Sequence, residues 1–150
     1  MAGLHLNHVN GKAIALGVVV AFVLSNGFTL LITFSINIAL ILAGTPYDQI
    51  TIAQISRVIM SSDILIGLLI FFEQFSIMLG GFFSAWTARK SELKHGVLVG
   101  IMVELLGISI VIIRDLFPLH ELSLFFFLLT IPSAFVGAYL GRQYNTAKQA

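Results

Sequence analysis

The sequence predicts an all-α integral membrane four-helix bundle, and three observations carry that prediction. Of its 150 residues, 58% are hydrophobic and 10% charged, whereas an ordinary soluble domain is about a quarter charged. Stretches 13–47, 64–88, 95–113 and 122–141 contain at most one charge each, and a hydrocarbon core takes ~20 residues of helix to cross. Runs such as Ile64 to Ile70 are apolar on every side, without the period-two alternation of a membrane barrel. The expected helices are 12–43, 63–88, 95–113 and 122–141, in a single transmembrane domain.

The first helix opens at Lys12 and has no charge before Asp48. Run straight to Ala43 it would reach about 45 Å, longer than the bilayer core, so it must tilt, bend or protrude. Its apolar run is far longer than the core of a cleaved signal peptide, so it is expected to stay as an anchor. Gly44-Thr45-Pro46 supplies a stop, with Gly for the C-terminal cap and Pro to block continuation. Segment 47–62 sets Ile50, Ile55, Val58 and Ile59 near helical spacing among Asp48, Gln49, Gln54 and Arg57. That pattern fits an interfacial helix lying on the bilayer, or a lid over a site.

The second helix ends Gly80-Gly81-Phe82-Phe83-Ser84-Ala85 ahead of Arg89, Lys90 and Lys94. The fourth ends similarly, Gly137-Ala138-Tyr139-Leu140-Gly141 ahead of Arg142, a weak echo consistent with a duplicated hairpin. Lys and Arg collect before helix one, between helices two and three, and after helix four, which places both termini in the cytoplasm. Trp86 and Tyr144 near those ends fit interface anchors.

Helix association in lipid depends on small residues and interhelical hydrogen bonds. Gly96, Gly100 and Gly107 share a stripe with Glu104 on helix three. Gly80 pairs with Ser84 and Gly81 with Ala85 on helix two, and Ser133, Gly137 and Gly141 repeat at intervals of four on helix four. Such stripes serve packing within the bundle or contact with another subunit. Pro132 is expected to kink helix four.

Glu73 lies ten residues past Asp63 and Glu104 ten past Lys94, so both fall near the midplane. Asn26, about 21 Å along helix one from Lys12 at 1.5 Å per residue, and Gln74 lie at similar depth. A carboxylate in lipid costs several kcal/mol, so one polar cluster of Asn26, Glu73, Gln74 and Glu104 is expected. Such a cluster could bind a proton or exchange it for a cation, pin helix register through hydrogen bonds, or pair with a cationic residue of a partner.

Other chemistries find little support. The net charge of +1, from 8 Lys and Arg against 7 Asp and Glu, provides no basic field for nucleic acid, and there is no Cys to supply a thiolate or disulfide. His5, His8, His95 and His120 do not share a helix face, so no metal site is expected. No cofactor loop and no paired nucleophile and base are visible, so no cofactor and no enzymatic activity are expected.

The stretch Gly80-Gly81-Phe82-Phe83-Ser84-Ala85-Trp86-Thr87-Ala88-Arg89-Lys90, followed by Lys94-His95-Gly96-Val97-Leu98-Val99-Gly100, resembles small bacterial four-helix membrane proteins of the uncharacterised YrzE-like family. They likewise join a Gly-Gly-rich helix end to a His-Gly opening through a short basic turn. The resemblance implies a four-helix integral membrane protein of a bacterial inner membrane and carries no activity or site residue with it. On the residues alone, the leading expectation is a non-enzymatic protein acting through helix assembly, with itself or as a small accessory subunit of a larger membrane complex. The alternative is a proton-coupled or cation-binding transporter using Glu73 and Glu104.

Overall fold

The computed structural model describes residues 9–113 and 121–148, the side chains of 111–113 and 121–127 excepted. Five α-helices and one 3-10 turn make up the described chain: α1 (Gly11–Leu42), the turn Tyr47–Gln49, α2 (Ile52–Met60), α3 (Asp63–Ala88), α4 (Glu92–Ile113) and α5 (Glu121–Ala147). Gly11–Leu42, Asp63–Ala88 and Glu92–Ile110 are long and apolar enough to cross a membrane. His5, His8, Arg114, Asp115 and His120 lie outside the described residues.

Local chemistry sets most of the helix ends. The Asn10 side chain accepts from the amides of Lys12 and Ala13 and starts α1. Gly44, at φ +92°, ends it: the Thr45 amide donates to the Leu40 carbonyl and the Gly44 amide to that of Ile41, the paired bonds of a Schellman motif. The expected interfacial segment resolves into the 3-10 turn and α2, which a capping box between Thr51 and Gln54 opens. Ser62 caps α3.

Two helices outrun their expected bounds. α4 starts at Glu92, not His95: an acidic first residue suits the positive helix end, and the Ser91 carbonyl accepts from the Lys94 and His95 amides. α5 continues past Gly141 to Ala147 because no Gly or Pro follows to stop it. It also carries Pro132 in its interior, where the ring removes one backbone donor.

α3 is the hub. It packs against α1, α4 and α5, and α4 in turn touches both α1 and α5, so α1 and α5 flank an α3–α4 pair. The contact surfaces are built from small residues. A Cβ at Gly17 would stand 2.6 Å from the Gly80 carbonyl oxygen. One at Gly81 would strike the Ala134 carbonyl, one at Gly96 the Ala138 methyl, and one at Gly137 the Met78 carbonyl. Gly100 meets Ile131 and Ala134, and Gly141 meets Phe82 and Ala85. Backbones therefore approach closely, which suits a solvent in which apolar burial gives no drive.

This tight packing occupies one half of the bundle, the end carrying the α3–α4 turn. Buried Ala13, Gly17 and Ala21 of α1 face buried residues from Ser76 to Ala85 of α3 there. Gly27, Gly67 and Gly107, toward the opposite end, have no neighbouring atom within 4 Å of an added Cβ. Among the described residues, the close glycine contacts therefore gather at one end of the bundle.

Candidate functional site

Near the middle of the bundle, α1, α3 and α4 border a cavity of about 200 Å³ that is partly open to the surface. Ser25 and Asn26 of α1, Glu73 of α3 and Gly107 of α4 line it, together with apolar side chains. Glu73 is half-buried and has no hydrogen-bond or ion-pair partner among the described residues. The like charge of Glu104 on α4 acts on its carboxylate. Glu104 in turn receives a hydrogen bond from Thr130 of α5, while its Oε1 is buried without a partner. The Thr130–Glu104 hydrogen bond joins α5 to α4, while Glu73 and Asn26 share the cavity wall.

Two expected members sit differently. Gln74 does not join the cluster: successive helical residues point about 100° apart, so with Glu73 directed toward α1 and α4, Gln74 faces α5. There its Oε1 accepts from the Ser133 hydroxyl at 2.8 Å, and its Nε2 is buried without a partner. Phe71, Phe75, Met78, Pro132 and Val136 form the apolar recess around it. Asn26 reaches the cavity but donates its amide to the Phe22 carbonyl of its own helix at 2.8 Å, which leaves Oδ1 as its free polar atom. Gly107, unlike Gly96 and Gly100, has no described atom of a neighbouring helix within 4 Å of an added Cβ, and it borders the cavity.

Three polar residues escaped the sequence reading in their actual roles. Thr130 was invisible because its depth depends on where α5 begins. His95 is wholly buried: its Nε2 accepts from the Asn10 amide at 2.9 Å and its Nδ1 lies 3.0 Å from the Ser91 carbonyl. The ring with its proton on Nδ1 satisfies both partners. Asn145 is buried at the end of α5 and donates to the Ala85 and Trp86 carbonyls at the end of α3. Together His95 and Asn145 fasten the start of α1 and the end of α5 to the α3–α4 turn. Histidine and asparagine near basic helix ends are too common for sequence alone to single these out.

Among the described residues, no three His, Asp or Glu side chains gather to hold a metal ion. Comparison with family models, with curated proteins and with solved structures returns no match.

Proposed function

We propose that this chain is a four-helix, non-enzymatic protein of a bacterial inner membrane, with both termini cytoplasmic, that binds a proton or a cation at Glu73 and Glu104. α1, α3, α4 and α5 would cross, with α2 at the interface, a plan of the same kind as in the YrzE-like proteins. One observation carries the functional part: an unpaired carboxylate, Glu73, borders a cavity inside apolar helices and feels the like charge of a second carboxylate. Acids at membrane depth are costly and mark ion or proton pathways by default. The test is flux across liposomes containing the purified protein. Glu73→Gln and Glu104→Gln are expected to remove a pH-dependent flux while helicity is retained; undiminished flux in the double variant rejects the reading.

Assembly with itself or with another membrane protein is the second reading. The glycines of the tight half already face neighbours within the chain, so an external contact needs another small-residue surface. Gly67 of α3, exposed among the described residues, offers one position for it. Native mass spectrometry of gently extracted protein checks this, and a lone monomer counts against it.

A further inference from the structure

The cavity between α1, α3 and α4 has a wall chemistry that selects among cations. We infer that its occupant is a small monovalent organic cation with apolar substituents, of the quaternary ammonium class; this rests on the proposed role of Glu73 as a cation-binding group.

The polar atoms of the lining side chains come from Glu73, Asn26 and Ser25. A dehydrated divalent cation requires about six oxygen donors or several retained waters. Asn26 offers one oxygen, since its nitrogen is bonded to Phe22, and Ser25 offers one hydroxyl. With the carboxylate, the side-chain donor set falls short. The rest of the wall is hydrocarbon and aromatic: Val18, Phe22, Ile77, Val103, Leu106 and Ile110. Such a wall desolvates an alkylated cation at little cost and a bare metal ion at great cost.

Charge and size agree. The single unpaired carboxylate on the wall matches one positive charge. The volume, about 200 Å³, somewhat exceeds the ~150 Å³ of an apolar cavity that accommodates benzene. Phe22 places an aromatic ring in the wall, a surface that attracts ammonium groups.

The test is calorimetric titration of the full chain in detergent with tetraethylammonium, with sodium and potassium chloride as comparison cations. Saturable tetraethylammonium binding is expected, weakened about tenfold or more in Glu73→Gln, which removes a desolvated charge partner. It is also expected to be lost in Ser25→Phe, which adds a bulky ring at a residue lining the cavity; unchanged helicity and thermal unfolding show that this variant is folded. Absence of tetraethylammonium binding, or binding indifferent to Glu73→Gln, overturns the inference. If tetraethylammonium fails while sodium, potassium or proton flux still depends on Glu73, the cation-binding reading survives and only the organic class falls. Loss of both removes the reading itself.

Discussion

The backbone amide of Asn10 donates to Nε2 of His95 across 85 positions of sequence at 2.9 Å, and so fixes the first residue before α1 to the opening turn of α4. The same ring contacts the Ser91 carbonyl and is fully buried. One imidazole therefore holds together the N-terminal ends of two helices that are far apart in sequence.

Replacing His95 with Leu leaves the Asn10 amide and the Ser91 carbonyl without their side-chain partner. Asn10 is exposed and the Ser91 carbonyl keeps its backbone amide donors, so the loss is that of ordinary hydrogen bonds, about 0.5–1.5 kcal/mol each. The expected outcome is a lower unfolding temperature in detergent, with faster amide exchange at the start of α1; an unchanged melting curve would show that the bond carries no stability.

Glycines at the two ends of the bundle are expected to respond oppositely to the same small change. Gly137→Ala drives a methyl into the Met78 carbonyl, and overpacking of this kind costs about 1–3 kcal/mol. Gly107→Ala meets no atom within 4 Å and removes the flexibility penalty of glycine, a gain of about 0.5–1 kcal/mol. Comparing thermal stability of the two variants checks this directly.

Thr130→Val removes the hydroxyl bonded to Glu104, whose other oxygen already lacks a partner. Interhelical hydrogen bonds in membranes average about 0.6 kcal/mol, so a loss of that order is expected. A cycle combining Thr130→Val with Glu104→Gln isolates the pair; zero coupling would mean that the contact contributes nothing.

Arg89, at φ 53°, ends α3 in the left-handed region without being glycine. The conformation costs a non-glycine residue about 1–2 kcal/mol. Arg89→Gly is therefore expected to raise stability by somewhat less than that, since glycine also gains freedom in the unfolded chain. Denaturation in detergent reads the shift.

Much of the architecture was legible because lipid simplifies the rules. Long apolar gaps between charges located α1 and α3, and Gly44 with Pro46 marked where α1 stops. The spacing of Gly96 and Gly100 marked a face that does meet α5, through Ala138, Ala134 and Ile131. Periodicity on one helix could not say which partner each face meets. Glu73 and Gln74, adjacent in sequence, therefore looked like one cluster and are turned toward different helices. Gly107 falls on the same stripe as Gly100, but no described atom of another helix lies within 4 Å of a Cβ added there. The helix-end partners of His95 and Asn145 depend on how termini meet in space, which no local pattern encodes.

The unequal packing of the two ends gives the bundle a pivot. At the end held by Gly81, Gly137, His95 and Asn145, backbones touch and side chains bond across helices, so that end resists displacement. Beyond Glu73 none of the described glycines makes such a contact, and small rotations about the clenched end translate into larger displacements farther along. The cavity lies near the fulcrum, where its walls can breathe without unfastening the termini. Amide exchange is accordingly expected to be slowest around Ala85 and to quicken steadily toward Gly107, a gradient along the helix axes.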